Sequence, residues 1–392
     1  MVLDRIYRKL DERYSSMVDV RRYLHMHPEP SFREVETARF IARFYKNLGM
    51  EVKTGVGGNG VVVRIRGAKP GKTVALRADF DALPIQDEKD VPYKSQVPGV
   101  MHACGHDGHT SVLLHLAQTL NEEKELLAGE YVIIHQPAEE IVPGGAKFMI
   151  EDGVLDGVDA IFGTHLWSTV PLGTLLYRSG TLMAAGDRFE ITVIGEGGHG
   201  AHPEAAKDAI VCASQLVVQL QQIVSRRVPA LSPAVVTIGR FVSDNSFNVI
   251  ADKAFLEGTV RTFDEGIRDL IEREMERIIA GVCSSCGCRY EFRYEKGYPP
   301  VVNHPEETAF LTKWAPSVPG VERIEETEPF LIAEDFAYYL QKVKGTFFFT
   351  GAKSPEKREV YPHHHPKFDF DERAMRIAAK TLATLAIRYQ SE

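Results

Sequence analysis

Long apolar runs, an excess of positive charge and an even set of cysteines are all missing from this 392-residue chain. No apolar run reaches the length a bilayer demands, and the charged opening Met1-Val2-Leu3-Asp4-Arg5 has no apolar segment of a secretory signal behind it. The expectation is a protein that meets no membrane and is cytoplasmic if its source is bacterial. Lys and Arg number 46 against 54 Asp and Glu, a formal net charge of −8. Without a basic field to attract phosphates, nucleic acid is excluded as a partner. Five cysteines rule out a complete disulfide framework. Cys283, Cys286 and Cys288 lie close together, but three thiols in one loop lack the further pair that a structural zinc site uses. Nor do they have the context of a thioredoxin-like redox motif. They are expected to be structural.

What remains is an ordinary globular composition, 44% hydrophobic and 26% charged, in a chain long enough for two domains. Ile6, Leu10, Tyr14, Met17 and Val20 recur at helical spacing and predict a helix over Leu3–Leu24, stopped by Pro28 and Pro30. A second helix over Glu34–Leu48 should end at Gly49. Extended runs at Glu51–Val56, Val61–Ile65 and Thr73–Asp79 come next. A helix over His109–Leu120, a strand Tyr131–His135, a helix around Gly145–Glu151 and a strand around Val158–Thr164 continue the alternation. This order predicts an α/β domain with a central sheet.

Near Ala184 the pattern changes. Phe189, Ile191 and Val193 alternate with polar residues, as in a half-exposed strand. A helix over Ala205–Ile223, strands near Val235–Phe241 and Ala254–Thr262, a helix over Gly266–Ile279 and a strand Arg289–Tyr294 follow. Strand, helix, strand, strand, helix, strand is a split βαβ arrangement, an α+β unit. After about Gly297 the first pattern returns and closes with a helix over Glu372–Tyr389. The economical reading is a discontinuous α/β domain, residues 1–183 plus 298–392, with an α+β domain inserted at 184–297.

The 14 histidines are unevenly spread. Met101-His102-Ala103-Cys104-Gly105-His106-Asp107-Gly108-His109 packs a thiol, three imidazoles and a carboxylate into one short segment. A core has no use for that density of ionisable groups, since each needs its own partner when buried. Gly105 and Gly108 make a turn in which Cys104 and His106 can converge on one metal. A second cluster, His135-Gln136-Pro137-Ala138-Glu139-Glu140, follows an apolar strand. Alone, two adjacent glutamates read as a solvated turn. Beside a metal loop, one carboxylate can ligate while its neighbour takes a proton from metal-activated water. Gly163-Thr164-His165 ends a predicted strand, and His363-His364-His365-Pro366 lies near the C-terminus. Each alone has a bland explanation, but all four fall near strand ends, where α/β active sites gather.

In these residues the chain resembles the M20 metallopeptidase superfamily, in its amidohydrolase branch of hippurate hydrolases, auxin-conjugate hydrolases, bacterial aminoacylases and N-acetyl-amino-acid deacetylases. The resemblance spans nearly the whole chain. It rests on His25-Met26-His27-Pro28-Glu29, Arg77-Ala78-Asp79-Phe80-Asp81-Ala82-Leu83-Pro84, the Met101–His109 loop, Pro137-Ala138-Glu139-Glu140, Gly163-Thr164-His165, Gly197-Gly198-His199 and Gly258-Thr259-Val260-Arg261-Thr262, in that order. It implies a catalytic α/β domain interrupted by a lid domain that mediates dimerisation.

Residue by residue, the resemblance implies two divalent metal ions, zinc or else manganese, cobalt or nickel, that share Cys104. His106 and His165 complete one site, and Glu140 and His364 the other, His364 standing two residues before Pro366. Glu139 is the implied base and later acid. Asp79 is the implied carboxylate that orients a ligating imidazole from outside the coordination sphere. His199, in the lid, would stabilise the oxyanion, in its own subunit or across a dimer. Asn248 and Arg261 would contact the substrate carboxylate. No direct chemistry is assigned to His25, His27 or His102. His202-Pro203-Glu204 departs from the pattern of many relatives. The thiol at Cys104, where peptidase branches use a carboxylate, favours an amidohydrolase over a dipeptidase.

The expected activity is metal-dependent hydrolysis of N-acyl amino acids, small-molecule substrates, by a homodimer or homotetramer formed through the lid. A carboxypeptidase or dipeptidase of the same superfamily is the alternative. A silent scaffold would have no use for the non-ligating Glu139, and no Gly-x-Ser-x-Gly elbow suggests a serine hydrolase.

Overall fold

The computed structural model describes residues 2–356 and 359–391, which form two compact units. The first comprises residues up to Leu182 together with Val301–Glu328 and Asp335 onward; the second comprises Met183–Pro300 and Pro329–Glu334.

The first unit is built on an eight-stranded mixed sheet. Its spatial order is Val52–Val56, Gly60–Arg66, Ala128–Gln136, Lys69–Asp79, Ala160–Pro171, Lys344–Lys353, Thr174–Tyr177 and Arg323–Glu326. The four strands from Ala128–Gln136 to Lys344–Lys353 run parallel. As parallel strands buried on both faces do, they read as continuous apolar runs such as Tyr131–Ile134 and Phe347–Phe349. Asp79 pairs with Gln136 and Arg77 with Gly163. The register therefore puts the end of Lys69–Asp79, the end of Ala128–Gln136 and His165 at one level of the sheet. Carboxyl ends of parallel strands are where open α/β sheets bind ligands.

Helices Val2–Glu12, Tyr14–Met26, His106–Glu122 and Arg373–Arg388 share one apolar core with this sheet. The expected single helix Leu3–Leu24 is two, broken at Arg13 (ψ 0°), whose guanidinium bonds Thr119 and the Lys9 carbonyl. The expected helix from His109 starts three residues earlier, at His106. Gly105 precedes it with φ 92°, a conformation that costs a residue with a Cβ. The strand expected to end at Thr164 runs on to Pro171, so His165 lies inside it.

The second unit carries a four-stranded antiparallel sheet in the order Ala234–Val242, Lys253–Thr262, Ala185–Ile194, Arg289–Glu295. Phe189, Ile191 and Val193 point into a separate core with helices Ala209–Gln222 and Glu265–Ser285. Arg188, Glu257 and Glu295 form ion pairs on the other face. Each helix starts at an aspartate whose side chain accepts backbone N–H bonds, Asp208 from Ile210 and Val211 and Asp264 from Ile267. Asp208 explains why the first of these begins later than the expected Ala205. No described helix is long and apolar enough to cross a membrane.

Candidate metal centre

Four chain segments of the first unit supply the site. The turn before helix His106–Glu122 gives Cys104, and the first residue of the helix is His106. The loop after strand Ala128–Gln136 gives Glu139 and Glu140. Strand Ala160–Pro171 gives His165, and the segment before the last helix gives His364. Cys104 Sγ lies 3.3 Å from His165 Nε2. His106 Nε2 lies 3.8 Å from a Glu140 oxygen and 4.0 Å from a Glu139 oxygen. His364 Nε2 is 3.3 Å from the other Glu140 oxygen. Ligand atoms of Cys104, His106 and His165 lie within 4.8 Å of one another, and so do those of Cys104, Glu140 and His364. Cys104 is common to both groups.

The hydrogen bonds fix which imidazole atoms are available. His106 Nδ1 faces the Asp81 carbonyl at 3.0 Å and its carboxylate at 3.2 Å. A carbonyl only accepts, so Nδ1 carries a proton, and in the neutral ring that a metal takes, Nε2 presents the lone pair. His165 repeats the arrangement, Nδ1–H donating to the Leu166 carbonyl at 2.9 Å while Nε2 faces Cys104. His109 stands beside them, yet both its nitrogens are used. Nδ1 bonds Asp79 at 2.6 Å and Nε2 accepts the Leu166 N–H at 2.9 Å. In the His triplet, His363 donates to the Leu166 carbonyl and lies against Trp167, and His365 stacks on Tyr361. His364, with φ 65° and its N–H on the Ala103 carbonyl, is the one turned to Glu140.

Asp79 differs from expectation. It bonds His109 and Arg77 (2.6 Å each) and stays 3.8 Å from His106 Nε2. The carboxylate on the far side of the His106 ring is Asp81, whose other oxygen accepts from the Ser31 hydroxyl (2.7 Å) and the Glu140 N–H (3.0 Å). Glu34 is a second carboxylate to which the sequence alone does not point. It is buried, its carboxylate accepts the Ala138 N–H at 2.8 Å, and Ala138 is held at φ 52° in the turn that carries both glutamates. Asp81 lies in the Arg77–Pro84 motif, two residues after Asp79. Nothing local to Glu34 signals its role.

The arrangement fits a cation. His106 Nε2 and Glu140 Oε1 are buried without a hydrogen-bond partner, which is costly unless something else satisfies them. Burial disfavours charge on His106, but Asp79, Asp81 and Glu140 outweigh it and raise its pKa to about 10. Burial, then Glu140, Glu139 and Asp79, pushes the Cys104 thiol well up. The same anions that hold protons here would favour a bound metal, which takes thiolate and neutral imidazole as ligands. Burial and neighbouring histidines hold His165 neutral.

Behind the loop, His25 Nδ1–H bonds Asp107 at 2.7 Å, Arg21 bonds the same carboxylate at 2.9 Å, and Lys89 donates to His25 Nε2 at 2.8 Å. His102 is buried, neither ring nitrogen has a partner, and burial lowers its pKa to about 4. His27 is exposed and bonds the Tyr23 carbonyl. His199, Asn248 and Arg261 belong to the second unit. His199 and Asn248 are neighbours, since strand Gly198–His199 pairs with Val249–Ile250 and Gly200 N–H donates to the Asn248 carbonyl. Arg261 lies on strand Lys253–Thr262, its guanidinium on the Thr259 hydroxyl and Val260 carbonyl.

Residues 75–388 match the family described as Peptidase family M20/M25/M40. A Bacillus subtilis (strain 168) chain, YhaA, provisionally named an amidohydrolase, is 58% identical over 98% of this chain and 97% of its own. The Geobacillus stearothermophilus N-acyl-L-amino acid amidohydrolase is 45% identical over 78% of this chain and 83% of its own. Thermostable carboxypeptidase 1 of Saccharolobus solfataricus (strain ATCC 35092 / DSM 1617 / JCM 11322 / P2) is 42% identical over 96% of each. Among solved structures, Bacillus subtilis YXEP, described as a dinuclear metal binding peptidase from the M20 family, superposes with a TM-score of 0.83 at 36% identity, over 97% of this chain and 99% of its own.

Proposed function

We propose, on the premise that the chain belongs to peptidase family M20/M25/M40, that it hydrolyses the amide bond of N-acyl amino acids to a carboxylic acid and the free amino acid. The observation that carries this reading is the pair of ligand groups meeting at Cys104, with Glu139 one residue before the ligating Glu140. Cys104, His106 and His165 would hold one divalent ion, and Cys104, Glu140 and His364 the other. Such ions, when bound, acidify water and polarise an acyl carbonyl. Zinc is the first candidate and manganese, cobalt and nickel the others, because thiolate, imidazole and carboxylate suit all four.

Glu139 moves the protons. It takes one from the attacking water and later delivers it to the leaving nitrogen. Glu34 and Asp81 hold the turn that carries it, through Ala138 N–H and Glu140 N–H. His199 is assigned to the oxyanion, and Asn248 and Arg261 to the substrate carboxylate. These three assignments rest on the family resemblance. So do residues 184–297 as a lid and dimerisation domain and a homodimer or homotetramer through it.

Glu139→Gln keeps the shape of the side chain and removes its basicity. It should retain the metal content of the wild type and lose about 10²–10⁴-fold in kcat. Elemental analysis and turnover, measured on N-acetyl, N-benzoyl and dipeptide substrates side by side, test this. Near-wild-type turnover removes Glu139 as the base. A preference for dipeptides replaces the amidohydrolase reading with the carboxypeptidase one, which the Saccharolobus relative's name supports.

A further inference from the structure

Four of the five cysteines meet inside the second unit, three from one short segment and the fourth from 71 residues earlier. Cys283 and Cys286 are three residues apart at the end of helix Glu265–Ser285 and so share a face. Gly287, at φ 66°, lets the chain reverse, with Cys288 N–H on the Cys283 carbonyl (2.9 Å) and Gly287 N–H on the Ser284 carbonyl (3.1 Å). That closing turn folds Cys288 back toward Cys283. The fourth thiol, Cys212, comes from helix Ala209–Gln222. Its Sγ lies 3.8 Å from Cys283 Sγ, and it interacts with Cys286 and Cys288 as well. Cys286 is the outermost. It is partly exposed, with Sγ 4.0 Å from Oε1 of Gln215, one turn beyond Cys212 on the same helix.

Buried thiols often serve only as small apolar groups. Here, though, one buried thiol touches another across two helices, and a third, accessible thiol adjoins the pair. No convergent metal-ligand group among the described residues includes any of the four. We propose that Cys212 and Cys283 form an intramolecular disulfide by exchange with a small-molecule disulfide that enters at Cys286.

The exchange balances as follows. The Cys286 thiolate attacks one sulfur of RSSR, forming a mixed disulfide and releasing RS⁻, which leaves as RSH. Cys212 gives up its proton and attacks Cys286 Sγ, expelling the second RSH. Cys283 then attacks the Cys212 sulfur, moves the bond to Cys212–Cys283, and returns Cys286 to a thiol. Two thiols are oxidised and one RSSR is reduced to two RSH. Burial and the neighbouring thiols push the Cys212 pKa up, so its attack is slow at neutral pH and speeds up as pH rises. The bond would tie together two helices whose cysteines are 71 residues apart in sequence, which constrains the unfolded chain. The site is independent of the metal centre.

The test incubates the metal-loaded protein with oxidised glutathione at mildly alkaline pH, then counts thiols under denaturing conditions and maps peptides. The expected product has lost two of its five thiols, carries no glutathione, and yields a peptide joining Cys212 to Cys283. The thermal midpoint of the second unit should rise by several degrees. Cys212→Ala and Cys212→Ser should both stop at glutathione bound to Cys286. Two variants are used so that a packing defect in one does not decide the result. Five thiols retained, a bond resting on Cys286 or Cys288, or two thiols still lost in both variants would each overturn the proposal.

Discussion

At the scale of single residues, Asp81 shows how much of the site a sequence conceals. Asp79 and Asp81 stand two apart in one motif, and nothing local separates them. The fold does, because strand Lys69–Asp79 ends between them and the chain turns so that Asp81 meets His106. The adjacent glutamates and Cys104-Gly105-His106 were legible, because their chemistry lies in short spacings. The choice of His364 within its triplet needed the family pattern, since only tertiary contacts send three successive imidazoles to three different neighbours. Asp81→Asn tests the role of the new carboxylate. An amide can still accept from His106, but its NH₂ then faces two donors, the Ser31 hydroxyl and the Glu140 N–H. Metal affinity should fall about 10–100-fold, the usual cost of disturbing a ligand's outer partner. Titration calorimetry on the chelated protein reads this directly, and an unchanged affinity would leave Asp81 with no part in holding His106.

At the scale of elements, helix His106–Glu122 is buried along most of its length. Its existence was expected as part of the alternation of strands and helices; its start was not, because that depends on the backbone angle at Gly105. His115 lies in its middle. Nδ1–H donates to the Ser111 carbonyl at 2.8 Å and Nε2 meets the Ser16 hydroxyl at 3.0 Å. Burial lowers its pKa from 6.5 to about 4. A depressed histidine contributes stability that is present above pH 6.5 and is lost as pH falls toward 4, because the unfolded chain takes up the proton first. The contribution is on the order of 3 kcal/mol, at 1.36 kcal/mol per pKa unit. Denaturant unfolding of the metal-free protein at pH 7 and pH 4 should show a smaller pH dependence in His115→Gln than in the wild type. Equal dependence in the two proteins would assign the acid sensitivity elsewhere.

At the scale of the whole molecule, the change of period near Ala184 and its return near Gly297 lie close to the limits of the second unit, Met183–Pro300. The short piece Pro329–Glu334 also belongs to that unit. It does so through backbone bonds, Ala184 N–H to the Phe330 and Ile332 carbonyls, and six residues without periodicity give no such sign in advance. Each unit has its own apolar core, and the proposed ligands Cys104, His106, Glu140, His165 and His364 all fall in the first. Metal held by those residues would tie four distant segments of that unit together, and a ligand bound only by the folded state stabilises it by mass action. At a free concentration about a thousandfold above Kd the gain is roughly 4 kcal/mol. Calorimetry should therefore resolve two transitions, with chelation lowering the midpoint of only one. Hydrogen exchange identifies which, because protection should fall in strands Lys69–Asp79 and Ala160–Pro171 and hold in strand Ala185–Ile194. Equal loss in both units would mean that they unfold as one cooperative body, and loss confined to the second would place the ions elsewhere.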